Sequence, residues 1–152
     1  VARTHAGLSG ADVRYEAVPA ETLAARGAAY EVVLNMEVVE HVGDLDGFLA
    51  ASARLVRPGG VMFVATINRT PKAWLTAILG AERVLGWLPR GTHQYGKLRK
   101  PREVEERLAR HGLETVHRTG VAVNPITRRF RYTRSLAVNY MLMAVHPDDP
   151  QQ

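Results

Sequence analysis

Cysteine is absent from the sequence. That excludes disulfides, zinc–thiolate sites and cysteine nucleophiles, and it fits a reducing compartment. No secretory leader is visible. The chain opens Val1-Ala2-Arg3-Thr4, without an initiator methionine and inside a helical pattern, so it is expected to continue a longer polypeptide. No apolar run reaches the roughly 18–20 residues that a bilayer-spanning helix needs. Zinc fingers and RNA-binding signatures with interleaved aromatics are missing too. The net charge of +5 therefore does not by itself indicate a nucleic-acid partner. What is left, 152 residues with 46% hydrophobic and 23% charged side chains, suits one globular domain.

The chemistry-bearing residues crowd into Asn35-Met36-Glu37-Val38-Val39-Glu40-His41-Val42. The preceding run Tyr30-Glu31-Val32-Val33-Leu34 reads as a buried strand. If Glu37 opens a helical turn, Glu40 and His41 follow three and four residues on and share its face. This puts two carboxylates and an imidazole at the carboxyl end of a strand, where open α/β sheets hold their ligands. Three readings stand side by side. The cluster is a solvated acidic turn, a general acid/base pair, or a site for a divalent cation. The spacing is not that of a zinc protease.

Taken in order, Val1 to Leu8 reads as a helix stopped by Ser9-Gly10, and Val13, Tyr15 and Ala17 as a short alternating strand. Glu21 to Arg26 makes a helical turn ended by Gly27. Asp44 caps an amphipathic helix through Val56, which Arg57-Pro58-Gly59-Gly60 ends. Val61 to Thr66 is apolar on both faces, as in a parallel sheet. The segment 68–100 is too long for a simple loop. Its middle, Ala73–Leu88, carries Trp74 and Trp87 with a basic fringe and reads either as a packed lid helix or as a membrane-surface helix. Pro101 starts a helix that Gly112 ends, Leu113 to Val123 is a strand, Arg128 to Arg134 a basic connection and Leu136 to Val145 a final strand. Alternating strands and helices imply an α/β fold with a largely parallel sheet, and the last two strands pair as a hairpin.

Met36-Glu37-Val38-Val39-Glu40-His41-Val42 resembles the post-strand motif of class I S-adenosylmethionine-dependent methyltransferases, and Leu55-Val56-Arg57-Pro58-Gly59-Gly60 resembles their Leu-x-Pro-Gly-Gly turn. Further segments follow in order: Thr66-Ile67-Asn68-Arg69, Gly80-Ala81-Glu82, Leu88-Pro89-Arg90-Gly91-Thr92-His93, Gly120, Asn124-Pro125 and Val138-Asn139-Tyr140-Met141. Together they are similar to the ubiquinone-biosynthesis O-methyltransferases, which methylate polyprenyl catechols and demethylubiquinol.

The resemblance implies a Rossmann-like sheet of seven strands in the order 3-2-1-4-5-7-6, mostly parallel, with the last strand antiparallel. This chain would supply strands 3–7, without the central strands 1 and 2 and their Gly-x-Gly loop. Residues 1–146 would be the C-terminal portion of one methyltransferase domain, with 68–100 as an inserted lid and 147–152 as a polar tail. Strand 3 would lack a neighbour and strand 4 would show an open apolar edge, so these residues alone are expected to be poorly stable and inactive. Met36, with Ala20 and Glu21 in the adenine-side loop, matches the cofactor-binding positions. Glu37, Glu40 and His41 match proposed ligands of a divalent cation, usually magnesium. His93 would be a substrate contact, a base or a structural histidine of the lid. Asn68 and Asn139 would bond substrate oxygens or satisfy backbone.

The implied partners are a polyprenyl quinol, a membrane surface met by Ala73–Leu88 and a quinone-synthesis complex. The implied location is the cytoplasmic face of a bacterial inner membrane, or the matrix side in mitochondria. The rival readings are a metal-free methyltransferase for another small phenol and a non-catalytic membrane scaffold. A nicotinamide dehydrogenase shares the architecture, but the Pro-Gly-Gly turn and the Glu-x-x-Glu-His motif argue against it.

Overall fold

The computed structural model describes residues 2–75, 95–124, 127 and 129–147. Two helices lead the chain, α1 (Ala2–Ser9) and α2 (Ala20–Ala25). Then come strand β1 (Tyr30–Met36), helix α3 (Leu45–Arg54), strand β2 (Val56–Ile67) and the single turn α4 (Pro71–Ala73). After Tyr95, helix α5 (Pro101–Arg110) precedes strands β3 (Glu114–Val123), β4 (Phe130–Thr133) and β5 (Asn139–Val145).

The five strands form one sheet in the order β1-β2-β5-β3-β4. β1 and β2 run parallel, while β5 lies antiparallel to both β2 and β3. That is the arrangement expected for strands 4-5-7-6, with the last strand reversed. Two expectations fail. Residues 11–19, which include the alternating Val13–Ala17 stretch, form no strand and join no ladder among the described residues. Alternation specifies a face to bury, but a ladder also needs a neighbour. Conversely, the basic connection holds β4, an edge strand paired antiparallel to β3.

Local chemistry accounts for the helices. The Asp44 carboxylate accepts from Gly47 N at 3.0 Å and so caps α3. Leu45 and Leu49, four residues apart, are buried with Ala53. The helix ends at Arg54, earlier than expected. Pro101 sits in the first turn of α5, the Glu103 carboxylate accepts from Lys100 N at 3.1 Å, and Val104 and Leu108 face inward. These side chains join Met62, Val64, Tyr140, Leu142 and Ala144 from the sheet in one core.

The Pro-Gly-Gly segment bulges inside β2. Tyr30 pairs with Val56, and the ladder resumes only at Val32 with Val61. Gly59 has φ 71°. A Cβ on Gly60 would lie 2.8 Å from Arg57 O and 3.0 Å from Glu31 O. Gly60 therefore has no room for a side chain without movement, and Gly59 holds a left-handed conformation that most side chains resist.

Among the described residues, α3 and α5 pack on one face of the sheet. Along β2, Met62, Val64 and Thr66 are fully buried, whereas Val61, Phe63 and Ile67 on the other parity are half-buried. β1 is not the buried strand that its apolar run suggests. Val32, Leu34 and Met36 are 51%, 62% and 44% exposed, and among the described residues β1 pairs with β2 alone. This is the open apolar edge expected of strand 4.

Candidate functional site

The site lies where β1 and β2 end side by side. Met36 pairs with Ala65, and Glu37 N donates to Ala65 O at 2.8 Å. The ladder stops there because Glu37 adopts φ 54°, a left-handed conformation uncommon for a residue with a side chain. Glu37 therefore does not open a helical turn, which corrects the expected geometry. Val38 to His41 form a separate turn, closed by His41 N on Val38 O at 2.9 Å. Val39 anchors that turn in the core, fully buried.

The turn carries Glu40 inward and leaves His41 outside. Glu40 is 2% exposed, and its Oε2 accepts from Thr66 Oγ1 at 2.7 Å. Its Oε1 is buried and, apart from Glu37, has no donor among the described residues; His41 Nε2 stands 4.0 Å away. Glu37 keeps solvent contact. Even so, loss of hydration by burial, then a hydrogen bond to Glu40 and the charge of Glu40, push its carboxyl up to about 8. A protonated Glu37 gives Glu40 a donor that an ionised one cannot.

Carboxylate oxygens are the ligand type that magnesium or manganese takes, but Glu37, its carboxyl raised to about 8, keeps a proton that it shares with Glu40 rather than offering a second anionic ligand. His41 does not complete a set as the side chains stand. Among the described residues, no group of three or more His, Asp or Glu side chains is assembled to hold a metal ion.

The remaining expected positions fall in several places. Asn68 stands just past the end of β2, its N–H on Val138 O at 2.9 Å and its Nδ2 on Leu136 O at 2.7 Å. Its Oδ1 is buried without a partner among the described residues. Asn68 also lines an open cleft of about 700 Å³ with Arg69, Lys100 and Arg118. Asn139 starts β5 opposite Ile67, and its Oδ1 accepts from Val121 N at 2.8 Å, so that oxygen satisfies backbone. Met36 presents an exposed apolar side chain at the end of β1. Ala20 and Glu21 open α2, which packs on α3. His93 and residues 76–88 of the lid segment lie outside the described residues.

Three buried polar residues were missed by sequence reasoning: Asn35, Thr66 and Tyr140. Asn35 Nδ2 donates weakly to Met62 Sδ at 3.4 Å. The available signal was parity. Thr66 and Tyr140 each stand two residues from a fully buried core side chain, Val64 and Leu142.

A family described as a methyltransferase domain matches residues 5–118. A protein of Sinorhizobium medicae (strain WSM419) named ubiquinone biosynthesis O-methyltransferase is 56% identical over 147 residues, 97% of this chain and 59% of its own length. One of the same name from Chelativorans sp. (strain BNC1) is 56% identical over 97% of this chain and 58% of its own. The chain thus spans less than two thirds of the curated relatives it matches. Among solved structures, an O-methyltransferase family protein from Burkholderia thailandensis aligns with a TM-score of 0.58 at 17% identity, over 99% of this chain and 41% of that one. That likeness speaks to the fold.

Proposed function

This chain belongs to the methyltransferase-domain family, and on that premise we propose that the full-length protein methylates a catechol hydroxyl of a polyprenylated ubiquinone precursor. The observation that carries this reading is the 56% identity, across 97% of the chain, to a protein named ubiquinone biosynthesis O-methyltransferase. S-adenosylmethionine, when bound, supplies the electrophilic methyl group. Met36, exposed and apolar, is suited to pack against its adenosine part, with Ala20 and Glu21 in the neighbouring first turn of α2.

Glu37 and Glu40 would hold a divalent cation, with His41 turning in as a third ligand. The cation, when bound, supplies the positive charge that lets a catechol hydroxyl ionise at neutral pH. The protein's own part is positioning. Burial fixes Glu40, the left-handed Glu37 brings a second carboxyl beside it, and Asn68 offers an unpaired Oδ1 to a substrate hydroxyl. His93 would act as a substrate contact or base, and Asn139 as a second polar contact.

The substrate's prenyl chain belongs in a bilayer. Ala73–Leu88 would dock on the membrane surface, and Trp74 and Leu75, its described exposed part, are 42% and 58% exposed. No helix among the described residues is long and apolar enough to cross a membrane. Peripheral attachment at the cytoplasmic face of the inner membrane, alone or within a quinone-synthesis complex, follows from this reading.

The test is methyl transfer to a short-chain demethylubiquinol by full-length protein, with and without chelator, beside Glu40→Ala. Loss in both cases, restored by magnesium only in the wild type, is the expected result. Methylation of other phenols but not of the quinol overturns the substrate. The second reading is a methyltransferase for a small phenol that needs no metal, and the absence of an assembled three-ligand group among the described residues favours it. Turnover that survives chelation decides for it.

A further inference from the structure

Resting on the reading of Asn68 as a contact to a substrate hydroxyl, we propose that Lys100 is a specificity-determining residue, selecting a catechol that carries a carboxylate on its ring over an uncharged one. Both residues line the open cleft of about 700 Å³ between the end of β2 and the first turn of α5. That volume is in the range of sites for small organic ligands.

The inner end of the cleft asks for a hydrogen-bond donor. Asn68 is 7% exposed, and its Nδ2 donates to Leu136 O at 2.7 Å. A carbonyl oxygen can only accept, so the amide cannot turn over without losing that bond. Oδ1 is thereby fixed as an acceptor, and it has no partner among the described residues. An anion placed there would set acceptor against acceptor. A catechol hydroxyl supplies the donor that a buried amide oxygen needs.

The outer end asks for an anion. Arg69, Lys100, Arg102 and Arg118 line the cleft, and all but Lys100 are matched by acids. Arg69 pairs with Glu103, Arg102 Nε with Glu106 at 2.7 Å, and Arg118 Nε with Glu105 at 2.8 Å. Lys100 is exposed and pairs with no carboxylate among the described residues. It stands immediately before Pro101, so the positive end of the α5 dipole adds to its charge. A neutral quinol answers Asn68 but leaves Lys100 unmatched. A dihydroxybenzoate carries a hydroxyl donor and a carboxylate, ionised at neutral pH, on one rigid ring. It therefore meets both ends of the cleft at once.

The test is kcat/KM of the full-length protein for two short-chain prenyl catechols that differ only in a ring carboxylate. The wild type is expected to favour the carboxylated one by about fivefold, the upper end for a single solvent-facing ion pair. Lys100→Gln should abolish that preference through a higher KM for the carboxylated substrate, and Lys100→Arg should keep it. A wild type without the preference overturns the proposal. So does a Lys100→Gln variant that keeps the preference, or one that lowers kcat/KM for both substrates alike. Calorimetric titration with protocatechuate, the unprenylated dihydroxybenzoate, and with plain catechol separates this from the methylation reading. Methylation of neither substrate overturns the activity. Lys100 then stands if Lys100→Gln weakens protocatechuate binding alone, and falls if it does not.

Discussion

Tyr140 stands directly opposite Thr66 across the β2–β5 pair, and its hydroxyl, unlike that of Thr66, has no hydrogen-bond partner among the described residues. Burial, together with the charges of Glu103, Glu40 and Glu105, holds its ionisation well above the usual range. The ring therefore carries a proton donor that finds no acceptor in the core.

Tyr140→Phe is accordingly expected to be neutral or stabilising. An unpaired buried hydroxyl is destabilising by about 1–3 kcal/mol, and removing it leaves no new orphan. Urea denaturation of the full-length protein measures this. A loss greater than about 1 kcal/mol, the size of an ordinary hydrogen bond, means that the hydroxyl has a partner in solution and that the polar cluster around Glu40 is larger than its described contacts.

Asn68 is the opposite case, because its Nδ2 satisfies Leu136 O at 2.7 Å in the chain leading to β5. Asn68→Ala leaves that carbonyl without its donor and is expected to lower stability by about 1–3 kcal/mol. Asn68→Asp sets an acceptor against an acceptor and is expected to lower it further. If the two variants match the wild type in urea midpoint, the amide does not hold this connection.

Much of the fold was legible because local chemistry specified it. Asp44, Pro101 and Gly112 mark helix ends whatever surrounds them, and the run Val61 to Thr66 has no other use than a strand. The strand assigned to Val13–Ala17 failed for lack of a neighbour, since pairing is not encoded in alternation. β4 was hidden for the converse reason. Phe130 and Tyr132 are exposed at 73% and 79% on an edge strand, so arginines interleave with aromatics and no buried face appears in the pattern. At the site, the residue types in Glu37, Glu40 and His41 were legible. Their geometry was not, because it turns on one left-handed residue and on a bond from Thr66, which no sequence periodicity connects to Glu40.

The Pro-Gly-Gly bulge makes a prediction that separates two uses of glycine. Gly59 is needed for its conformation, with φ 71°, and Gly60 for its lack of a Cβ, which would press on Arg57 O and on Glu31 O of β1. Gly59→Ala is expected to lower stability by about 1–2 kcal/mol, and Gly60→Ala by about 1–3 kcal/mol through overpacking. Asparagine tolerates the left-handed region, so Gly59→Asn should recover part of the loss while Gly60→Asn should not. Equal recovery at both positions in urea denaturation rules out steric pressure at Gly60.

Glu37 gives the site a pH signature of a definite sign. Its carboxyl is raised from 4.5 to about 8 by desolvation and by the hydrogen bond and charge of Glu40. The folded protein thus keeps a proton over a range in which the unfolded chain has already released it. Stability rises with pH only where the unfolded state binds more protons, and here it binds fewer. The contribution of Glu37 is therefore fully present below pH 4.5, falls as pH rises, and is lost once pH passes about 8. Glu37→Gln carries no titrating proton and should flatten this part of the profile, with its advantage over the wild type growing toward alkaline pH. Urea midpoints of both proteins, measured without divalent cations at several pH values across that window, provide the check. A wild-type profile parallel to that of Glu37→Gln means that Glu37 ionises normally and that its carboxyl is not coupled to Glu40 in solution.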